Sequence, residues 1–360
     1  MTLRIGLVGG GNITDTHARA VLGVPGAEIA AIQGPNESRV RNLCGRYGGT
    51  PYTSYADFLE HRSLDAVAIG SPSGLHAVQG MAAARHGLHV LVEKPIDITT
   101  GRADALIGAC EEAGVALGVF FQDRFKPEVG RLKDAVASGA IGRPLFADAR
   151  VPWYRPADYY GRSRWRGTLA LDGGGALINQ AIHTADLLLW VLGDVERVQA
   201  RTATLLHEIE AEDTGAAILE FRSGALGVFS FSTSAYPGYP RRVTISGTSG
   251  TIVFEEDAII AADLRDQRAA ESFATPASTP PAVAPSGLRR DEPGPEVPPA
   301  ASSPVVGNAT FHRAVVEDFV EAVRDGRAPR CDGVEARRSV ELVEAIYQAS
   351  RTEQGVLVSR

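Results

Sequence analysis

A lysine at the end of an apolar strand and a histidine on an apolar helix are the two residues whose types and places suit proton chemistry. Leu88-His89-Val90-Leu91-Val92 runs directly into Glu93-Lys94-Pro95. Strands buried on both faces of a parallel sheet read as continuous apolar runs, so the charged pair falls at a strand's carboxyl end, where open α/β sheets bind ligands. A lysine desolvated there loses affinity for its proton and becomes fit for acid–base work. Read alone, Glu93-Lys94 is more simply a solvated pair on a loop. The second stretch is Asp172-Gly173-Gly174-Gly175-Ala176-Leu177-Ile178-Asn179-Gln180-Ala181-Ile182-His183, which enters an apolar helix that runs to Trp190. Its glycines allow a ligand's close approach, and Asn179 and His183, four apart, share one face of the helix's first turns. A histidine on an apolar helix is by default a satisfied core residue, so it gains meaning only if it meets the lysine.

The elements that would bring them together are legible from the N-terminus. Leu3 to Gly9 reads as a strand, Gly9-Gly10-Gly11-Asn12-Ile13-Thr14 as a turn, and Ala18, Val21 and Leu22 as one side of a helix. Gly9 permits the tight turn, and Gly11, with Asn12 and Ile13 after it, lets a pyrophosphate approach the free amides of a helix start. Thr14 stands where the dinucleotide fingerprint has its third glycine. The second strand, Glu28 to Ile32, leads to Gln33-Gly34-Pro35-Asn36, so the ribose-binding acid is absent at Gly34. Its loss removes repulsion toward a 2′-phosphate, which Asn36, Ser38 and Arg39 are close enough in sequence to contact, although Arg39 suits the solvent face of a helix over Glu37 to Tyr47 equally well. NAD and NADP both remain open. A strand Asp65 to Ile69, the turn Ser71-Pro72-Ser73, a helix through His76 to His86, the strand ending at Val92, a helix Thr99 to Ala113 and a strand Val115 to Phe121 complete a doubly wound parallel sheet. Ser71, Pro72, Ser73 and His76 then share the carboxyl-end rim with Gly9 and Lys94; a lone His76 would otherwise sit on a helix surface.

The second half reads as α+β. A helix Pro127 to Ser138 precedes a loop from Trp153 to Thr168 dense in aromatics and arginines, notably Tyr154, Arg155, Arg164, Trp165 and Arg166. Such a loop suits sugar rings and their hydroxyls or carboxylates, and suits an oligomer contact equally. Strands are expected at Val198 to Leu206, Thr214 to Phe221, Ala225 to Ser232, Arg242 to Ser246, Gly250 to Phe254 and Ala258 to Ala262. They form a large open, mainly antiparallel sheet whose second face a partner subunit would cover. Glu208, Glu210, Glu212 and Asp213 read as a solvated acidic loop, with no metal site intended. Thr275 to Pro304 reads as an extended excursion, and helices Phe311 to Arg324 and Val334 to Arg351 close the chain. The expected division is a dinucleotide-binding domain over 1–121 and a substrate and oligomerisation domain over 122–360, with the last helices packing back on the first domain.

A net charge of −7 with no basic run argues against nucleic acid as partner. No leader and no apolar run of membrane length is evident, so a soluble, cytoplasmic protein without a membrane partner is expected. Cys44, Cys110 and Cys331 stand far apart in no metal or redox spacing and read as reduced structural thiols.

Taken together, the Gly9-Gly10-Gly11-Asn12-Ile13 turn with His17, the turn Ser71-Pro72-Ser73-Gly74-Leu75-His76, Glu93-Lys94-Pro95, and Gly173-Gly174-Gly175 leading to Asn179 and His183 resemble the Gfo/Idh/MocA oxidoreductases. His312, Asp318-Phe319 and Ala345-Ile346-Tyr347 extend the resemblance over nearly the whole chain. It implies a nicotinamide-dependent dehydrogenase or reductase of sugars and cyclic polyols, a dimer or tetramer built through the C-terminal sheet. The family's catalytic lysine falls on Lys94 and its histidine on His183; its usual aspartate, four before the histidine, is Asn179 here. The resemblance sets Glu93 and Gln122 beside the cofactor and Tyr236 beside the substrate, with Trp153, Tyr154, Arg155, Arg164, Trp165 and Arg166. Two rivals are a glycoside hydrolase that oxidises, eliminates and reduces again, and a non-catalytic dinucleotide sensor.

Overall fold

The computed structural model describes residues 2–266, 270, 271, 273 and 309–358; the Thr275 to Pro304 stretch lies outside them. The first sheet consists of β1 (Leu3–Val8), β2 (Ala27–Gln33), β3 (Thr50–Tyr52), β4 (Ala66–Ile69), β5 (His89–Glu93) and β6 (Leu117–Phe120), all parallel in the order β3-β2-β1-β4-β5-β6. Strand order reverses between β1 and β4, and the carboxyl ends of those strands and of β5 therefore border one crevice. Helices α1 (Asn12–Leu22), α2 (Glu37–Tyr47), α3 (Tyr55–Leu59), α4 (His76–Arg85) and α5 (Thr100–Ala113) connect the strands. Leu91 and Phe120 pack on one face with Ala18 and Val21 of α1, whereas Val90, Val92 and Val119 belong to the core on the other. That two-sided burial is why these strands read as continuous apolar runs.

After β6 the chain passes through a 3-10 turn, Gln122–Phe125, into α6 (Pro127–Ala137), β7 (Pro144–Pro152), α7 (Ala157–Gly161), α8 (Ile182–Leu192), β8 (Val195–Ala203), β9 (Thr214–Phe221), β10 (Leu226–Ser232), β11 (Arg242–Gly247), β12 (Gly250–Glu255) and β13 (Ala258–Leu264). The described chain closes with α9 (Thr310–Asp325), α10 (Gly333–Thr352) and β14 (Val356–Leu357). The second sheet has the order β13-β12-β11-β7-β10-β9-β8-β14, and its pairs are antiparallel except β10 with β7. Helices α8 and α10 cover one face. On the other, Leu226 is paired with Phe146, and Val228 with Ile218, so four exposed apolar side chains lie side by side. No helix among the described residues is long and apolar enough to cross a membrane.

The last helices return to the first sheet. Val316, Phe319 and Val320 of α9 pack in one cluster with Val21 and Leu91. At the junction, Arg124 of the 3-10 turn donates to both carboxylate oxygens of Asp186 on α8, at 2.9 and 2.6 Å, and to Glu335 of α10 at 3.0 Å. The side chains of Arg124 and Asp186 are each 1% exposed. Four short elements, β3, α3, α7 and β14, have no counterpart in the sequence reading, because each spans too few residues to show a period. The strand expected over Val198 to Leu206 lies three residues earlier, at Val195–Ala203.

Candidate active site

The glycine turn is shaped by close approach. At Gly9, φ is +136°, and a Cβ there would stand 2.6 Å from the Gly70 carbonyl oxygen. Thr14 is more than a small stand-in for glycine, because its Oγ1 accepts the Gly10 amide at 2.9 Å. Helix α1 starts after Gly11 with no side-chain cap, and a Cβ on Gly11 would meet nothing within 4 Å. Free first-turn amides beside open space are what a pyrophosphate requires. At the ribose edge, a Cβ on Gly34 would stand 2.8 Å from the Gly9 carbonyl oxygen, so the absent acid reflects a backbone contact that leaves no room for it. Asn36 caps α2 by accepting from the amide of Arg39 and from the Ser38 hydroxyl. Arg39 itself is exposed.

Lys94 leaves the end of β5 and donates from Nζ to the Asn179 carbonyl at 2.7 Å. Burial lowers its pKa, an effect that the charges of Glu93 and Asp172 oppose. Glu93 beside it is buried and Lys94 partly so, unlike the solvated pair that these two residue types suggest when read alone. Its Oε1 is paired with His17 Nε2 at 2.9 Å and lies 3.8 Å from His312 Nε2. Burial alone would raise the Glu93 carboxyl, but the His17 bond and the surrounding cations hold it at about 2. His17 stacks on Phe120 at 4.3 Å between centroids. His76 is likewise no helix-surface residue: it is 1% exposed, its Nδ1 lies 2.8 Å from the Pro95 carbonyl and its Nε2 3.0 Å from that of Ser71. Burial favours the neutral ring, whose single N–H donates to one of these carbonyls, so the imidazole sits between the turns that carry Ser71 and Lys94 and ties down one of them. Ser71 Oγ donates to Gln79, and the Gly74 amide to the Leu171 carbonyl at 2.7 Å, which seats the Pro72-Ser73 turn on the second half of the chain.

Residues Ala176–Ala181 form a π-helical turn, and α8 begins only at Ile182. The expectation that Asn179 and His183 share the first turns of one α-helix is therefore corrected. The widened turn carries the Asn179 carbonyl that accepts from Lys94; π-turns of this kind recur at functional sites. Glu212 anchors its start, accepting the amides of Gly175 at 3.1 Å and Leu177 at 2.7 Å and the Tyr347 hydroxyl at 3.1 Å. Asp213 accepts three further backbone amides, those of Leu205, Leu206 and His207. The expected solvated acidic loop is thus wrong for these two residues, which are 7% and 0% exposed.

Burial pushes the Glu212 carboxyl up to about 7 although its donors favour the charged form. The native group then keeps its proton at pH values where an unfolded glutamate has lost it, so its contribution to stability is complete below about pH 4.5 and is lost as pH rises through 7. Glu212→Gln imitates the protonated form. Its Tm relative to wild type is expected to climb between pH 5 and pH 8; a difference that stays flat in calorimetry would contradict the assignment.

His183 is held neutral, its pKa pushed down to about 3 by burial and by Lys94 beside it, and its buried Nδ1 has no partner among the described residues. Gln122 Oε1 and Trp153 Nε1 are also buried without one. Asp172, passed over in the sequence, is 1% exposed and accepts from the Asn179 amide at 2.5 Å and from Gly167 N at 2.8 Å. The sole signal was its place directly before the three glycines. The aromatic loop divides: Arg155 is 2% exposed, lies over the Trp153 ring and donates to Gln180 at 2.8 Å, and Arg166 lies over Tyr159 at 4.4 Å and Trp165 at 5.3 Å. Tyr154 meets the exposed Tyr236 edge-on at 5.2 Å, while Arg164 points to solvent.

Residues 3–121 match the model of an oxidoreductase family with an NAD-binding Rossmann fold, and residues 129–253 match the GFO/IDH/MocA C-terminal domain. Among curated relatives, myo-inositol 2-dehydrogenase of Thermotoga maritima is 32% identical over 258 residues, 69% of this chain and 74% of that protein. D-xylose 1-dehydrogenase (NADP(+)) 2 of Haloferax volcanii is 29% identical over 335 residues, 91% of each chain. Among solved structures, the WlbA dehydrogenase of Bordetella pertussis, in complex with NADH and UDP-GlcNAcA, is 30% identical with a TM-score of 0.85, and the match covers 100% of this chain and 98% of that one.

Proposed function

The chain belongs to the GFO/IDH/MocA oxidoreductase family, and from that premise we propose how its own residues carry out the reaction. The protein is a nicotinamide-dependent oxidoreductase acting on an alcohol carbon of a sugar or polyol. The observation that carries the site assignment is the bond from Lys94 Nζ to the Asn179 carbonyl, which ties the end of β5 to the turn leading into His183. The cofactor, when bound, supplies hydride acceptance, or donation in the reverse direction. In oxidation, neutral His183 accepts the hydroxyl proton at a ring nitrogen while Lys94 donates to the same oxygen and stabilises the charge developing there. Asn179 orients Lys94. The amides of Gly11 to Ile13 hold the pyrophosphate, and Ser71, Pro72, Ser73 and Gln122 border the cofactor. Glu93, whose Oε1 meets His17 and whose Oε2 accepts the Lys94 backbone amide at 3.2 Å, serves by seating Lys94. Trp153, Tyr154, Trp165, Arg166 and Tyr236 offer rings and a cation to the substrate; Arg155, packed beneath them, supports that wall. The hydrolase and sensor readings are not favoured, since the named relatives are dehydrogenases. A panel of inositols, aldoses and nucleotide sugars with NAD and NADP, followed by nicotinamide absorbance, tests the reading; no reduction with any member would count against it.

Cofactor choice rests on Arg39, an exposed cation at the capped start of α2; its neighbour Arg41 is engaged by Glu37. Arg39→Ala is expected to weaken NADP binding about tenfold, the size of one lost charged hydrogen bond, and to leave NAD within about twofold. Fluorescence titration of both reduced cofactors reads it directly. The open face bearing Phe146, Ile218, Leu226 and Val228 is the surface proposed for self-association, to be read by light scattering.

A further inference from the structure

We propose that Asp172 is a positioning residue for this site: through Asn179 it fixes the carbonyl that holds Lys94, and its charge sets the protonation of that lysine. The proposal rests on the reading of Lys94 as the reaction's lysine. Asn179 cannot itself carry charge, but its amide is a donor, and that donor ends on a carboxylate. The chain of contacts is short: Asp172 Oδ1 accepts Asn179 Nδ2 at 2.5 Å, Asn179 Oδ1 accepts Gln180 Nε2 at 2.9 Å, and the Asn179 carbonyl accepts Lys94 Nζ at 2.7 Å. With both ends of its amide engaged, Asn179 has one orientation. Asp172 Oδ2 is meanwhile fixed by the Gly167 amide at 2.8 Å, so the carboxylate cannot swing away.

The electrostatics run the same way. The groups facing Asp172 are Lys94 from the end of β5, Arg166 from the aromatic loop, and Tyr159 and Tyr160 from α7. Lys94 in turn faces Glu93, Asp172, Arg166 and Arg155, with His183 beside it. Glu93 is committed to His17, which leaves Asp172 as the second negative charge near the ammonium and the one attached to the Asn179 turn. Burial pushes the Asp172 carboxyl up to about 6, against the pull of its two hydrogen bonds and of Lys94. It therefore changes charge just below neutral pH, where loss of that charge releases the hold on the lysine proton.

The test reads Lys94 without any substrate. Competitive labelling of the full chain with acetic anhydride, followed by peptide mass spectrometry, gives the pH midpoint at which Lys94 becomes reactive. In Asp172→Asn the midpoint is expected to fall by about one pH unit, the effect of removing one close opposite charge. Asp172→Asn/Asn179→Asp returns the carboxylate one hydrogen bond away and is expected to restore the midpoint to within about 0.3 unit. A merely structural role for Asp172 would move the Tm of both variants without this fall and recovery. NADH binding confirms that each variant is folded. An unchanged midpoint in the single variant, or no recovery in the double, overturns the proposal. Because labelling needs no turnover, its result stands apart from the outcome of the substrate panel.

Discussion

Lys94→Ala is expected to lower kcat by about a thousandfold or more while NADH affinity stays within about threefold. The magnitude is that of removing a donor aimed at charge which develops only in the transition state, commonly about 10²–10³-fold, compounded here by loss of the bond that ties the end of β5 to the Asn179 turn. Retained affinity follows from where the residue sits. Lys94 ends β5, whereas the pyrophosphate cradle lies between β1 and α1, and the anchors of the lysine turn, His76 to Pro95 and Asp97 to the Ala77 and Ile98 amides, do not involve the Lys94 side chain. Steady-state rates with the substrate found in the panel, set beside a fluorescence titration of NADH, separate the two effects. Unchanged turnover would remove Lys94 from the reaction, and a parallel collapse of NADH binding would show that the lysine holds the fold of the crevice instead.

The largest effect on stability is expected at Arg124. Arg124→Met leaves Asp186 charged or forced to protonate in an interior where its side chain is 1% exposed, with the Ser339 hydroxyl at 3.1 Å as its remaining side-chain donor among the described residues. Breaking one side of a buried pair in this way costs about 3–5 kcal/mol. Glu335 is spared, because it keeps Arg338 at 3.0 Å. Removing both charges in Arg124→Met/Asp186→Leu is expected to recover most of the loss, since a buried pair costs nearly as much to desolvate as it returns. Urea unfolding of the three proteins checks this. A single variant within about 1 kcal/mol of wild type would mean that water reaches the junction.

The sequence was most readable where burial dictates composition. Val90 to Val92 are apolar because both faces of β5 are covered, and the same rule marked the place where Lys94 emerges. Spacing was less informative where the backbone departs from a regular period. The four-residue interval between Asn179 and His183 suggested a single α-helix, whereas Asn179 lies in a π-turn and only His183 lies on α8. Long-range partners were hardest to read. Nothing near Glu212 in the chain announces that its carboxylate caps a turn that begins 36 residues earlier, because hydrogen bonds between distant segments leave no periodic trace; Asp172 and Asn179 are close in sequence, but the glycines and π-turn between them follow no regular period that would show them meeting.

The return of α9 to the first sheet bears on the order in which the protein can be made. Residues 1–121 leave the ribosome well before residues 310–325, yet Leu91 on β5 shares its cluster with Val316 and Phe319, and Glu93 has His312 at 3.8 Å. The amide of Val119 on β6 is likewise completed by the carbonyl of Cys331 at 2.9 Å. A nascent Rossmann sheet therefore waits with one apolar face covered by α1 but not by α9, and with the end of β5 unfinished. The end of β5 and the edge of β6 gain their last partners only when residues 310–331 have been made.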